Sequence, residues 1–243
     1  MSIEKLPTET IGDNAHKVVR SALGAIPFAG TASIEIFNSV IVPPLVKRRD
    51  EWLNKLVKEI EKLAAQVDGF KIENLQDNAE FISALVHATG VAIKTHQEDK
   101  ITMLRNIVLN SAISHLRKES NTDEYSYYLN ILEDITLKEF QALVILEKHQ
   151  SANPRGLSQS SIVAEGLIPD NDLEWATRFW NNYEQELSSE LPIPQTELRG
   201  FIERLSRTGC FVLIAGAYFG YEGGMGLLTD LYYKLKDLVT LNI

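Results

Sequence analysis

Between Ser21 and Val46 the sequence carries a single charged residue, Glu35, and Gly24, Pro27, Gly30, Pro43 and Pro44 punctuate the stretch before Lys47, Arg48 and Arg49 close it. No other feature restricts the possible fold as strongly. As one straight helix these 26 residues would reach about 39 Å, more than a bilayer core of roughly 30 Å. Two facts oppose a permanent span. The prolines remove helical donors and crowd the preceding turn, leaving only residues 31–42 uninterrupted. Glu35 at mid-membrane would cost on the order of 2.5 to 3.5 kcal/mol. Ile34, Phe37, Val40, Ile41 and Leu45 recur at helical spacing, while Thr31, Glu35, Asn38 and Ser39 share the opposite stripe. That pattern predicts a short amphipathic helix between breakers.

Two readings of this helix stay open. It rests buried in a bundle with one wetted stripe, or it is a conditional element released to a membrane or a partner. In the second reading Phe28, Ile34, Phe37, Val40 and Ile41 form the contact face, and Lys47, Arg48 and Arg49 meet anionic head groups.

Helical periodicity dominates on both sides of this segment. Asp13 is a candidate cap for a helix running through His16, Val18, Val19 and Leu23 to Gly24. Pro43 and Pro44 are expected to end or kink the next helix, and a new one is expected from Asp50. Its stripe is Trp52, Leu53, Leu56, Val57, Ile60, Leu63, Ala64 and Val67, with Glu51 paired to Lys55 and Gly69 as a stop. Two further helices carry Phe81, Leu85, Ala88 and Ala92, then Ile101, Leu104, Val108 and Ala112. The polar stretch from Lys118 to Glu124 is the expected boundary between an N-terminal helical domain, residues 1–119, and a C-terminal domain, residues 120–243.

Beyond it a short helix is expected over residues 125–132, and Thr136 caps another with core face Leu137, Phe140, Leu143 and Val144. Pro154 and Gly156 mark a loop. Asp170 or Asp172 then caps a helix whose aromatic stripe is Trp175, Phe179, Tyr183 and Leu187, read as core. After Pro192 and Pro194, Thr196 caps a helix through Leu198, Ile202 and Leu205 that stops at Gly209. The period then changes. Cys210 to Tyr218 reads as a strand, Gly220 to Gly226 as a glycine-rich hairpin turn, and Thr229 as the cap of a final helix. The expected fold class is therefore mainly α: an N-terminal helical bundle followed by a winged-helix-like domain with a small β-hairpin.

Composition narrows the function classes. With 243 residues and 44% hydrophobic content, the chain is able to bury one or two ordinary cores. Its net charge of −9 is uneven: residues 1–50 carry +1, residues 151–200 carry −5 and residues 201–243 balance. No stretch has the basic footprint that phosphate neutralisation needs, which argues against nucleic acid as a partner. The lone Cys210 lies in an apolar run and excludes a disulfide scaffold within one chain. With no basic start or small-residue cleavage site at the N-terminus, the expected location is the cytoplasm, with peripheral membrane attachment in the conditional reading.

Catalytic, cofactor and metal motifs are not recognisable. The run GYEGGMG lacks the Lys and Ser/Thr ending of a phosphate-binding loop and reads as a hairpin turn. His87 and His96 stand near Glu98 and Asp99, but nine residues of continuous helix turn them to opposite faces, so a shared metal would require a break between them. Asp170, Asp172 and Glu174 alternate like calcium ligands, yet Trp175 occupies the position where a sharp glycine turn is required. A non-enzymatic role is expected.

The order of parts carries a resemblance: GAIPFAG ending in PPLVKRR, an amphipathic helix, LRNIVLNSAI, YLNILEDITLKEFQALVIL and LLTDLYYKL. It resembles bacterial helical proteins associated with phage defence, broadly similar to the abortive-infection alpha family. That resemblance implies an anti-phage effector or accessory acting through a membrane on activation, a protein partner or a homo-oligomer. Separately, TELRGFIERLSRTGCFVLI followed by the glycine turn and LLTDLYYKLKDLV resembles a winged helix with its wing. On its recognition helix Arg199, Arg204 and Arg207 would form the contact face, offset by Glu197 and Glu203, which favours a structural or protein-binding version over a DNA-binding one. The competing reading is a cytosolic winged-helix adaptor or transcriptional regulator.

Overall fold

Pro43 and Pro44 lie within a helix that continues through Asp50. The computed structural model describes residues 42–114, 124–156, 171–215 and 223–240, and its first helix, α1, runs Val42–Gln66 without interruption. The expected start at Asp50 is thus corrected, since the helix is already formed before it, and Lys47, Arg48 and Arg49 lie within α1. The end or kink expected of the helix before Pro43 falls outside the described residues. The amphipathic segment before Val42, with Phe28, Ile34, Phe37, Val40 and Ile41, lies outside the described residues, as does the helix expected from Asp13.

The described residues divide into two compact units, one up to Leu129 and the other from Asn130 onward. In the first unit α1 buries Trp52, Leu56, Ile60 and Leu63 at helical spacing. Val57, one residue round from Leu56, is more than half exposed, so it leaves the expected stripe. Glu51 pairs back to Lys47 at 3.8 Å rather than forward to Lys55, which instead reaches Glu98 at 3.0 Å. A turn with Gly69 at φ +82° follows, then a 3-10 helix, Ile72–Asp77. Next come α2, Ala79–Lys94, and α3, Glu98–Ile113.

Asn78 ties these elements together. Its Oδ1 accepts from the Phe81 N–H at 3.0 Å, capping α2, while its Nδ2 donates to the Ser111 carbonyl of α3 at 3.3 Å. Ala84, Ala88 and Ala92 on α2 and Ala112 on α3 are buried, and side chains this small let two helix backbones approach closely. α4, Glu124–Asp134, begins in this unit and runs across the division; its Tyr125 hydroxyl donates to the Asn110 carbonyl at 3.3 Å.

In the second unit α5, Leu137–Ala152, starts with a reciprocal cap. The Thr136 hydroxyl accepts from the Glu139 N–H at 3.2 Å, and the Glu139 carboxylate accepts from the Thr136 N–H at 2.8 Å. Phe140, Leu143 and Leu146 are buried, whereas Val144 is exposed, because it lies about 100° round the helix from Leu143. The expected aromatic helix is two helices, α6, Asp172–Thr177, and α7, Trp180–Glu190. Arg178 and Phe179 donate to carbonyls three residues back, a tightening that breaks the α-helical ladder. Asn171, not an aspartate, is the cap. Trp175, Phe179, Tyr183 and Leu187 are nonetheless all buried on one side of the break.

α8, Gln195–Arg204, begins after Pro194, so Thr196 sits inside its first turn rather than at the cap. A 3-10 turn, Leu205–Thr208, ends at Gly209 with φ +77°. β1, Phe211–Leu213, then pairs antiparallel with β2, Gly226–Leu228, in the register Phe211↔Leu228 and Leu213↔Gly226. The strand is shorter than expected, since Ile214 and Ala215 already lie beyond it. α9, Asp230–Val239, closes the unit from Thr229, whose hydroxyl donates to the Gly209 carbonyl at 2.7 Å instead of capping the helix. Tyr232 buries its ring and donates its hydroxyl to Glu147 at 2.8 Å, while Lys236 donates to the same carboxylate at 2.7 and 2.6 Å. The described residues are thus mainly helical, with one small antiparallel sheet.

Two substitutions test this packing. The buried Trp52 Nε1 donates to the Thr89 hydroxyl at 3.0 Å, and that hydroxyl donates to the Leu85 carbonyl at 2.7 Å. Thr89→Val keeps the shape and strands the indole N–H, so urea unfolding followed by circular dichroism is expected to show a loss of about 1–3 kcal/mol. At Gly226 an added Cβ would run into the Phe211 ring and lie 2.5 Å from the Val212 carbonyl oxygen. Gly226→Ala is expected to lower stability by about 1–3 kcal/mol, and an unchanged urea midpoint would show that the hairpin yields freely.

Candidate interaction face on the second unit

α8 buries Leu198 and Ile202 and turns Arg199, Glu203 and Glu197 outward. Arg199 Nε pairs with Glu203 Oε1 at 3.2 Å, one helical turn apart. The Arg199 guanidinium also reaches the hairpin turn: a Cβ at Gly223 would lie 4.0 Å from its Nη2. Gly223 and Gly224 have φ of +83° and +99°, the left-handed region that only glycine enters freely. Helix and hairpin therefore share a surface. On the hairpin Val212 is 51% exposed and Leu213 36%.

Arg204 and Arg207 do not stand free on that surface. Arg204 Nη2 lies 3.3 Å from Glu139 Oε1, and Arg207 Nη2 lies 3.5 Å from Glu139 Oε2 while also donating to the Asp134 carbonyl at 2.7 Å. The Glu139 side chain is only 3% exposed. Burying a carboxylate without positive partners would cost several kcal/mol, and here two guanidinium groups and the Thr136 N–H answer it. Glu139 went unread in the sequence as part of the arginine face, because it precedes α8 by more than fifty residues. The spacing Thr136-x-x-Glu139 was its one legible signal.

Cys210, at the base of β1, is buried, and burial pushes its thiol above the ordinary range, against a smaller opposing effect of the Thr208 hydroxyl. A thiol held protonated is a poor nucleophile.

The arginines expected near the membrane segment sit differently. Lys47 is exposed and pairs with Glu51; Arg48 Nη1 donates to the Ile93 carbonyl at 3.4 Å. Arg49 is buried, with its Nε and Nη2 on Asp50 Oδ1 at 3.0 and 2.8 Å. Consecutive helical residues diverge by about 100°, so the three do not form one basic face. Arg49 falls on the inward stripe of Trp52 and Leu56. His87 lies on α2 and His96 beyond it, since the helix ends at Lys94. Among the described residues no group of three or more His, Cys, Asp or Glu side chains is disposed to hold a metal ion, and no helix is long and apolar enough to cross a membrane.

A second polar cluster joins α5 to α7. Glu186 accepts from Lys148 Nζ at 2.6 Å through Oε1 and meets His149 Nε2 at 3.0 Å through Oε2. Both oxygens are thus occupied, which suits a structural tie. The Lys148 hydrogen bond, assisted by its charge and by His149 against the opposing effect of burial, holds the Glu186 carboxyl below its usual 4.5. A carboxyl depressed in the folded state stabilises fully above its unfolded value, and that contribution disappears as pH falls through the folded value. Glu186→Gln is therefore expected to flatten the fall in melting temperature between pH 6 and pH 3, on the order of a few degrees. Parallel curves for the variant and wild type would mean that the tie contributes nothing.

No family model matches the chain, and no characterised protein sequence or solved structure matches it.

Proposed function

We propose that the chain is a non-enzymatic interaction protein, an effector or accessory of the abortive-infection type, whose second unit is a winged-helix-like module that binds a protein rather than DNA. The observation that carries this reading is the pairing of all three arginines of the α8 face with carboxylates, Arg199 with Glu203 and both Arg204 and Arg207 with Glu139. Affinity for duplex DNA comes largely from cations free to displace counterions at phosphates, and base recognition needs a positive helix to approach the groove. A face with as many carboxylates as guanidinium groups, Glu197, Glu203 and Glu139 against Arg199, Arg204 and Arg207, suits a protein surface better. The succession of α8, β1, β2 and α9 supports the winged-helix part of the reading. The resemblance of the N-terminal segment supports a conditional action on a membrane or partner.

Two measurements test it. In fluorescence anisotropy with random-sequence duplex at low salt, the wild type and the Arg199→Ala, Arg204→Ala variant are expected to behave alike, without salt-dependent saturable binding. Wild-type binding that the variant loses would favour the transcriptional-regulator reading. On overexpression the chain is expected to arrest growth, and Phe37→Asp with Ile41→Asp to relieve the arrest. Arrest that persists in that variant removes the membrane role.

A further inference from the structure

We propose that Glu139 is the residue that keeps duplex nucleic acid off the α8 face, by holding the two arginines that would otherwise meet phosphates. This rests on the reading of that face as protein-binding and names the group that makes it so. The charge is hidden while its partners are not: the Glu139 side chain is 3% exposed, those of Arg204 and Arg207 62% and 45%. Long guanidinium side chains this exposed are able to swing to a phosphate once the Glu139 charge is gone, Arg204 directly and Arg207 by also giving up its 2.7 Å hydrogen bond to the Asp134 carbonyl.

The other carboxylates of the face hold less firmly. Glu197 and Glu203 are exposed on α8 itself, where salt screens them and rotation carries them away from an approaching anion. Glu139 has no such freedom. It is pinned by the Thr136 N–H at 2.8 Å within the cap of α5, so its negative charge stays beneath the arginines whatever approaches from solvent. Counting Arg199, Arg204 and Arg207 against Glu197, Glu203 and Glu139, the face is neutral, and without the Glu139 charge it becomes positive. The arginines are not required by the cap, which is complete with Thr136 and Glu139 alone. Glu139 is thus a specificity-determining residue supplied by a different helix from the one it controls.

Glu139→Gln tests this, because glutamine keeps the volume and an acceptor for the Thr136 N–H while removing the charge. With full-length protein and random-sequence duplex, Glu139→Gln is expected to show at low salt the saturable binding that the wild type lacks, at least about tenfold above any wild-type signal, with a log–log salt slope of about 1 to 2. Adding Arg204→Ala and Arg207→Ala to it is expected to return binding to the wild-type level. A Glu139→Gln protein with wild-type circular dichroism and unchanged duplex affinity overturns the inference. Should that variant fail to fold, the wild type still decides: its Arg204 and Arg207 Nε–H resonances are expected to stay in place when duplex is added, and shifts in either would overturn the proposal. Arginine-dependent duplex binding by the wild type would instead sink the protein-binding reading itself.

Discussion

A carboxylate taken out of water must be answered by hydrogen-bond donors and positive charge, and in the second unit the requirement falls on Glu139. Its oxygens receive the Thr136 N–H and face Arg204 and Arg207, so one buried charge fixes the start of α5 and the end of α8 together. The consequence reaches the surface. Arginines that hold a buried anion are no longer equivalent to arginines in solvent, and the same residues that look like a nucleic-acid face in sequence become part of a charge-balanced one.

The first unit meets its polar requirements at smaller stakes. Trp52 cannot be buried without an acceptor for its indole N–H, and Thr89 supplies one while spending its own proton on the Leu85 carbonyl. Asn78 serves two elements with one amide. Arg49 turns inward on the same stripe as Trp52 because helical spacing leaves it no other side, and Asp50 accompanies it. Each is a local solution to burying a helix face that carries a polar atom.

Much of the helical framework was legible because it depends on local chemistry. The stripes of α1, α2, α3 and α5 follow from residue spacing, and Thr136, Gly69 and Gly209 act where capping and left-handed turns demand. The misreadings were also local in kind. Asp50 looks like a helix start by its side chain, yet the helix already runs through it, because the buried stripe of Trp52 and Leu56 extends back to Arg49. Val57 and Val144 were assigned to stripes that place them about one residue round from the buried positions. The split between α6 and α7 left no mark, since Trp175, Phe179, Tyr183 and Leu187 keep a helix-like spacing across it.

What the sequence determined by itself was therefore the helical class, the Thr136 cap, the stops at Gly69 and Gly209, the hairpin after Gly209 and the absence of a basic footprint, all of which are read from neighbours a few residues apart. Tertiary structure decided the partners of the charges. Lys55 found Glu98, Lys148 and His149 found Glu186, and Arg204 and Arg207 found Glu139. Periodicity says which face of a helix turns inward but not which distant carboxylate waits there. A charge's availability depends on that partner's burial, so the character of the α8 face was decided only when the chain had folded.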